Sequence, residues 1–505
     1  MNMTACSHCH QTQFYKSPPP TRPFLGSQLE EVIYIYEETF RLEELIAQFN
    51  EERAALLRRL NIIQSPTIGL PTEILSTIFE HTCPPPDFRN QHEFPPYGEE
   101  TEDEEQEMPF QLVLGAVSSH WRRVVRSSPR LWTSVFSNIG VSPKKFPNIL
   151  RLFIENSKHV PLSLVLRFLD SNPMNPFLVH PSIDLLIIEA LPRIRELHLV
   201  NPPRIWHAYL PCLTRLAECS LNLSRPEAYV PDQQVMLPLI APLRRLSLQE
   251  ALWRTDASLQ LPFLAITSLT LSEIPPDLSV QVFLQCPNLV EFHCISYSVQ
   301  LPPPKPVTLT NDITFQYLKI FDWETRSCPW SHALVRYLTT PILRELRIFA
   351  MLDPTECNSQ EFYNRLPPTL TKLELLTPSH VNYVRDDSNI EDLRMLYCNT
   401  EEVFQLFQRL RPIWRDGKLV KTFPRLRKLT IGEGGDDLDL LPVSCSIAVL
   451  EMLEKRLDSS TNSFHLVLET SEVDWLPEVE GKLKELKQAG FDLKIIECGA
   501  YNFLE

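Results

Sequence analysis

Residues 343–348 read Leu-Arg-Glu-Leu-Arg-Ile, and residues 426–431 read Leu-Arg-Lys-Leu-Thr-Ile. Each phrase has apolar residues at its first, fourth and sixth positions. The phrase occurs ten times from residue 194 onward, with successive starts 20 to 36 residues apart. The ten copies cover residues 194–199, 216–221, 243–248, 266–271, 289–294, 318–323, 343–348, 370–375, 390–395 and 426–431. Alternating apolar residues of this kind predict a short strand with one buried face.

The segments between the phrases are long enough to return the chain through a helix or an irregular arc, as residues 280–284 and 403–410 indicate. One such unit cannot cover its own apolar face, so neighbouring units must stack. Residues 161–166, 464–468 and 491–495 predict further strands of the same array.

The phrase and its spacing resemble degenerate leucine-rich repeats. The Asn or Cys expected shortly after each strand is mostly missing, and the spacing is irregular. The resemblance implies an α/β fold in which residues 140–500 form a curved solenoid with a parallel β-sheet on its concave face. An ordinary mixed α/β domain is the alternative.

Two helical patterns precede the repeats. Residues 70–83 read LPTEILSTIFEHTC, and residues 112–132 read LVLGAVSSHWRRVVRSSPRLW. Both carry apolar side chains at helical spacing, and neither contains a paired acid and base, a metal-binding cluster or a phosphate-binding loop. Amphipathic helices without such chemistry predict a docking surface for another protein.

These segments resemble an F-box, because three sub-motifs occur in the family's order: Leu-Pro-x-Glu-Ile-Leu, Val-x-x-x-Trp-Arg and Pro-x-Leu-Trp. In that family the apolar positions grip the Skp-type adaptor of a cullin-RING ubiquitin ligase. The resemblance therefore implies these adaptor-binding residues: Leu70, Pro71, Ile74, Leu75, Ile78, Phe79, Val117, Trp121, Val125, Leu131 and Trp132. The alternative is that these helices simply pack under the following domain.

The F-box-like domain covers residues 65–136 and contains an acidic insert at 83–111. The insert lengthens a normally short connection, and in this it resembles the variant F-boxes of fungal multigene families. Pro84-Pro85-Pro86 stops the first helix, and the acidic string GEETEDEEQE repels itself. A mobile acidic loop is therefore expected here.

Residues 1–27 are polar and proline-rich and predict a disordered tail. Residues 28–64 predict one long amphipathic helix, with apolar residues recurring at Leu42, Leu45, Phe49, Leu56, Leu60 and Ile63. A coiled coil is one interpretation. Glu52 interrupts its seam, so we favour a helix that folds back on the F-box-like helices.

The composition narrows the functional class. The formal net charge is −15, from 48 basic and 63 acidic residues, which argues against binding to nucleic acid. The sequence lacks both a secretory signal pattern and an apolar run of about 18 residues, so no membrane association is expected. Twelve scattered cysteines fit a reducing compartment and predict a cytoplasmic or nuclear location.

No catalytic or cofactor motif stands out. Only 12 glycines occur, and none forms a nucleotide-binding loop. Neither a GxSxG elbow nor an HExxH helix is present. Cys6, His8, Cys9 and His10 form a small cluster, but no second pair follows at zinc-finger spacing. We therefore expect no enzymatic activity, no cofactor and no metal site; an enzyme whose site is assembled from distant residues is the weakest alternative.

Side chains alternate between the two faces of a strand, so the variable positions of the repeats should line the concave sheet. As a set they predict a surface that binds a target protein, because repeat arrays use their concave faces for binding. The candidates are Arg245, Gln249, Glu291, His293, Asp322, Glu324, Arg347, Phe349, Lys372, Glu374 and Arg394. The expected function is substrate recognition in a Skp–cullin–F-box ubiquitin ligase. The alternative is a non-catalytic leucine-rich-repeat scaffold outside a ligase.

Overall fold

The computed structural model describes most of the chain outside its N-terminal segment and several connections. The described residues are 27–64, 67, 69–83, 109–139, 146–168, 181–202, 206–222, 242–249, 262–296, 309, 312–325, 329–348, 359–376, 378–415, 418–432, 440–457, 463–469, 472–497 and 501–502. They divide into two compact units. The first lies within Met1–Thr82 and Met108–Arg126, and the second within Cys83–Glu107 and Ser127–Glu505. The expected tail over residues 1–27 lies almost entirely outside the described residues, as does the metal-ligand cluster at residues 6–10.

The described part of the first unit is helical. Its helices are α1 (Gln28–Gln64), α2 (Thr72–Thr82), α3 (Phe110–Val117) and α4 (Ser119–Ser127), the last of which ends at the boundary between the units. Residues 84–108, which hold most of the expected acidic insert, lie outside the described residues. Helix α3 begins at Phe110, so the expected insert boundary at residue 111 was too late.

A small core joins α2, α3 and α4. Leu75 and Phe79 of α2, Leu114 of α3, and Val124 and Val125 of α4 are all buried. Leu75 and Phe79 are four residues apart and therefore lie on one face of α2, as an amphipathic pattern requires.

Trp121 of α4 packs on α2. Its ring centroid lies 4.8 Å from that of Phe79, and its indole N–H donates to the Thr67 hydroxyl at 2.9 Å. The start of α4 is capped locally, because the Trp121 backbone N–H donates to the Ser118 hydroxyl at 3.1 Å. The Arg122 side chain then donates to the Gly115 carbonyl at 2.8 Å and links α4 to α3.

Helix α1 covers the predicted range, but its packing differs from expectation. Every side chain of α1 whose exposure is described is exposed or half-exposed. Leu42, Phe49 and Leu56, which belong to the predicted apolar stripe, are among the exposed residues. The expectation that this helix folds back on the F-box-like helices was therefore wrong.

The second unit combines a long sheet with short helices. The helices are α5 (Phe146–Ser157), α6 (Pro181–Ala190), α7 (Trp206–Tyr209), α8 (Pro276–Gln285), α9 (Pro329–Tyr337), α10 (Ser359–Arg365), α11 (Thr400–Leu410), α12 (Val443–Arg456) and α13 (Pro477–Gln488). No helix in the described ranges of either unit has the length and apolar run needed to span a bilayer.

The strands are short and evenly distributed. They are β1 (Ser134–Ile139), β2 (Leu162–Phe168), β3 (Ile194–Val200), β4 (Glu218–Asn222), β5 (Arg245–Gln249), β6 (Ser268–Ser272), β7 (Glu291–Ser296), β8 (Ile313–Thr314), β9 (Ile320–Thr325), β10 (Leu338–Thr339), β11 (Glu345–Ile348), β12 (Lys372–Leu375), β13 (Asp392–Met395), β14 (Ile413–Arg415), β15 (Lys418–Val420), β16 (Lys428–Ile431), β17 (Leu440–Leu441), β18 (Ser463–Leu468), β19 (Glu472–Val473), β20 (Asp492–Glu497) and β21 (Tyr501–Asn502).

One open sheet contains fifteen of the described strands, in the order β1-β2-β3-β4-β5-β6-β7-β9-β11-β12-β13-β16-β18-β20-β21. From β1 to β20 every neighbouring pair is parallel, and only β21 returns antiparallel. The strands therefore follow the chain order without a reversal. This is the arrangement expected when each sequence repeat stacks on the preceding repeat.

All ten phrases coincide with strands of this sheet, from β3 to β16, and this prediction is confirmed. The earlier strand expected at residues 161–166 is β2, and the later two are β18 and β20. The helical returns at 280–284 and 403–410 lie within α8 and α11. The chain is thus an α/β protein with N-terminal helices and a large, mainly parallel sheet.

The sheet begins earlier than expected. Strand β1 pairs with β2 although β1 starts before residue 140 and inside the range assigned to the F-box-like domain. Trp132, just before β1, packs edge-on against Phe153 of α5 with ring centroids 5.2 Å apart. The last sub-motif of the F-box-like pattern therefore belongs to the second unit.

The apolar residues of the repeats form continuous rows across the sheet. One row runs from Leu246 through Leu269 and Phe292 to Phe321. Phe283 of α8 lies on this row, with ring centroids 4.3 Å from Phe292 and 5.9 Å from Phe321. The helices thus cover the apolar face of the sheet. Alternate residues point to the opposite face, called the outer face below.

Candidate docking surfaces

Helix α2 carries a second apolar stripe that the first unit does not bury. Ile74 and Ile78, one turn apart, are 50% and 42% exposed, and Pro71 precedes them on the same side. Leu75 and Phe79 occupy an adjoining side, about 100° further around the helix axis, and are buried. Leu70 is half-exposed. One side of α2 therefore holds the unit together while the other presents branched apolar side chains to solvent.

Helix α3 also presents an apolar stripe. Phe110, Val113 and Val117 recur at helical spacing and are all exposed, while Leu114 is buried. Only Val117 was among the candidates predicted from the sequence. Phe110 was missed because residue 110 was placed inside the acidic insert, and Val113 was not selected. The successive spacings of three and four residues from Phe110 to Val113 and from Val113 to Val117 indicate one helix face.

Five predicted adaptor-binding residues are core residues instead. Leu75, Phe79, Val125, Leu131 and Trp132 are each at most 4% exposed. Side chains this deeply buried cannot contact an adaptor, so their assignment as contact residues was wrong. Trp121 is half-exposed, with one side of its ring on Phe79. The predicted residues left at the surface are Leu70, Pro71, Ile74, Ile78, Val117 and part of Trp121.

On the sheet, the predicted target-binding residues that are described all lie on the outer face. The pairing register arranges them in three parallel rows. The central row contains His293, Asp322, Arg347, Glu374 and Arg394. Arg245, Glu291 and Lys372 belong to a row at the start of the strands, called the start row, and Gln249 and Glu324 to a row near their ends. Phe349 lies outside the described residues.

The central row is a chain of ion pairs. Asp322 Oδ2 lies 3.2 Å from His293 Nδ1 and 3.6 Å from Arg347 Nη1. Arg347 also reaches Glu374 Oε1 at 3.4 Å and Glu324 Oε2 at 3.6 Å. One arginine of β11 is thus shared by three carboxylates, two on β9 and one on β12.

The series of ion pairs in the central row continues beyond Glu374. Arg394 Nη1 lies 3.4 Å from Glu374 Oε1, and Arg394 Nη2 donates to Glu469 Oε2 at 2.8 Å. Glu469 follows β18 and was not predicted to take part. The sequence held no signal for it, because the contact joins residues 75 positions apart.

The three carboxylates paired with Arg347 are not open recognition groups. Asp322, Glu324 and Glu374 are each only 5% exposed. Burial raises the pKa of the Glu324 and Glu374 carboxyls, and the positive charge of Arg347 only partly opposes this. Asp322 Oδ1 has no hydrogen-bond partner among the described residues. The assignment of these three residues to direct target contact is therefore corrected: they hold the sheet's own arginines.

The start row is the more accessible part of the outer face. Arg245 pairs with Glu218 at 2.9 Å, Lys372 with Glu345 at 3.4 Å, and the Ser268 hydroxyl donates to Glu291 at 3.1 Å. Each pair joins two neighbouring strands, and the lysine and arginine side chains remain substantially exposed. These side chains can exchange an internal ion pair for one with a bound protein at little cost, since exposed pairs are weak.

The outer face also contains the pair His293–Asp322, which resembles half of a catalytic triad. Within the described ranges, no hydroxyl or thiol hydrogen-bonds to the His293 ring, so the pair lacks a nucleophile there. The same described residues contain no group of three or more His, Cys, Asp or Glu side chains placed to hold a metal ion.

Comparison with known proteins finds no matching family model and no matching curated protein.

Proposed function

We propose that the chain is a substrate-recognition subunit of a Skp–cullin–F-box ubiquitin ligase. The first unit binds the Skp-family adaptor through the exposed stripes of α2 and α3. The second unit binds a target protein on the outer face of its sheet, as the concave face of a leucine-rich-repeat-like solenoid. The chain supplies proximity and orientation, and the ligase supplies the chemistry.

The observation that carries this proposal is the two-sided character of α2. An Ile side chain that passes from water into an interface contributes about 1.5–3 kcal/mol when fully buried. Ile74 and Ile78 are half-exposed in the free chain, and they fall on positions that the F-box family uses to contact its adaptor. Two such residues one turn apart have the size and spacing of a helix-in-groove anchor.

The target side of the proposal rests on the start row. Arg245, Lys372 and Lys428 are exposed cations spread along the sheet, and each is paired with an acidic residue on the neighbouring strand. A surface of mixed sign favours a protein partner of complementary pattern over a phosphate or an apolar ligand.

Co-purification with a Skp-family adaptor tests the adaptor half of the proposal. Co-expressed with the adaptor, the wild-type chain should elute with it as a stable complex. The variant Ile74→Asp/Ile78→Asp should not, because it places two charges in the interface while leaving the buried side of α2 intact. A matched control is Glu73→Ala/Thr77→Ala, which alters two exposed polar positions on the same helix.

Unchanged co-purification of the Ile74→Asp/Ile78→Asp variant would contradict the assignment of this surface. Loss of the adaptor from the wild-type chain itself would favour the alternative, a repeat scaffold that works outside a ligase. Circular dichroism of each variant shows whether it remains folded.

A further inference from the structure

Helix α1 exposes a regular apolar line. Five apolar residues recur at intervals of seven, and each is between 47% and 78% exposed. They are Ile35, Leu42, Phe49, Leu56 and Ile63, called the α1 seam below. A strict seven-residue period keeps apolar side chains in line only when two helices wind around each other. The seam spans about 42 Å at a rise of about 1.5 Å per residue.

The α1 seam reads the same in both directions. From either end the order is Ile, Leu, Phe, Leu, Ile, with Phe49 at its centre. Two copies running antiparallel about Phe49 would therefore align Ile35 with Ile63, Leu42 with Leu56, and Phe49 with Phe49. A two-fold axis sets a surface against its own copy, and this order then pairs like apolar residues along the whole seam.

The distribution of charges along α1 favours antiparallel over parallel pairing of two copies of this helix. Residues 28–46 carry six glutamates and one arginine, whereas residues 47–64 carry two glutamates and three arginines. Parallel pairing would bring the two acidic halves together. Antiparallel pairing places Arg58 and Arg59 of one copy within one helical turn of Glu38 and Glu43 of the other.

The antiparallel arrangement also accommodates Glu52, which interrupts the apolar pattern. In a parallel pair the two Glu52 carboxylates would face each other across the seam. Antiparallel pairing about Phe49 shifts them apart by about 9 Å along the axis, at about 1.5 Å per residue. Like charges directly opposed would weaken the pair, so this separation removes the main obstacle to association.

We propose that α1 mediates homodimerisation by pairing antiparallel with α1 of a second copy of this chain. The self-matching seam and the charge distribution of α1 point to a second copy as the occupant of this surface. The inference does not depend on adaptor binding, since the seam shares no residue with the exposed stripes of α2 and α3.

Light scattering after size exclusion tests the association. The chain should have the mass of a dimer at about 10–100 μM and dissociate on dilution, because association depends on the concentration of the protein. Leu42→Glu/Leu56→Glu, which replaces two residues that face each other in the proposed pair, should give a monomer. The matched control Ile33→Glu/Phe40→Glu adds the same charge to exposed apolar residues off the seam and should remain a dimer.

Disulfide cross-linking tests the direction of the pair. A mixture of Leu42→Cys and Leu56→Cys chains should form a disulfide between the two introduced thiols, identified by mass spectrometry of the joined peptides. Leu42→Cys alone should form no cross-link between its own copies at that position, because the two residues would be about 21 Å apart. Disulfides require Cα atoms within about 7 Å.

Three results would overturn the proposal. A wild-type chain that stays monomeric throughout the concentration range shows that no second copy covers the seam. A dimer that persists in Leu42→Glu/Leu56→Glu shows that other residues form the interface. Efficient cross-linking of Leu42→Cys to itself shows a parallel pair.

Discussion

The ring of Trp121 lies 4.8 Å from the ring of Phe79, with an angle of 57° between their planes. This contact joins α4 to α2 inside the first unit. Both residues belong to the F-box-like pattern, and here they pack against each other. The apolar positions of the pattern therefore divide into residues that build the unit and residues that it exposes.

That division predicts different effects for neighbouring positions of α2. Phe79→Ala should destabilise the first unit by about 3 kcal/mol or more, because it removes a buried aromatic side chain and leaves a cavity. Ile78→Ala, the matched surface change, should cost less than about 0.5 kcal/mol. Hydrogen exchange of peptides from α2 and α4 measures the local opening in both variants. Equal loss of protection in the two variants would contradict the burial of Phe79.

The outer face predicts that one arginine stabilises the sheet more than a neighbouring lysine. Arg347→Met should lower the free energy of unfolding by about 2 kcal/mol, because Asp322, Glu324 and Glu374 would lose a shared counter-charge while remaining buried. Lys372→Met should lower it by less than about 0.5 kcal/mol, since its pair with Glu345 is exposed.

Urea unfolding followed by circular dichroism compares the two variants, and the reverse order of destabilisation would contradict the central row. The ion pairs of Arg347 and Arg394 also make charge reversal at these two residues unsuitable as a test of target binding. A reversal at Arg347 or Arg394 alters the sheet as well as any target contact. Lys372, Lys428 and Arg245 are therefore better probes of target binding.

The raised pKa of Glu324 predicts a pH-dependent difference. The folded chain holds a proton on this carboxyl at a higher pH than the unfolded chain, whose ordinary pKa is 4.5. The contribution to stability is therefore fully present below that value and is lost as the pH rises through the folded pKa. Relative to wild type, Glu324→Gln should be least stable below about pH 4.5 and should gain stability towards about pH 7.

Urea unfolding of both proteins across this range measures the difference in unfolding free energy. The other titrating groups cancel to a first approximation when the two curves are subtracted. A difference that is independent of pH, or that changes in the opposite direction, would show that the pKa of Glu324 is not raised by burial.

Most strands of the sheet could be predicted from the sequence, because the alternating apolar residues of each phrase mark a strand with one buried face. Strand β1 was missed because residues 134–139 form an edge strand that lacks the phrase, and its place is set by pairing with β2. The antiparallel pair of β14 and β15 was also missed, because these strands lie between two repeats and do not contain the phrase.

The candidate sites were harder to predict, and the reasons are physical. Both sides of α2 are apolar, so periodicity alone could not distinguish the buried Leu75 and Phe79 from the exposed Ile74 and Ile78. Alternation placed the charged residues on the correct face of each strand. Their burial depends on which side chains adjoin across strands, and this register is a tertiary property.

Calorimetric titration of a purified Skp-family adaptor into this chain tests whether the exposed stripes of α2 and α3 bind the adaptor. Saturable binding is expected, with one adaptor per chain and a dissociation constant tighter than about 1 μM. Ile74→Asp/Ile78→Asp should weaken the affinity at least about 30-fold, which corresponds to about 2 kcal/mol, the loss expected for a single hot-spot residue. Absence of binding by the folded wild-type chain, or equal affinity of the two proteins, would contradict adaptor binding through Ile74 and Ile78.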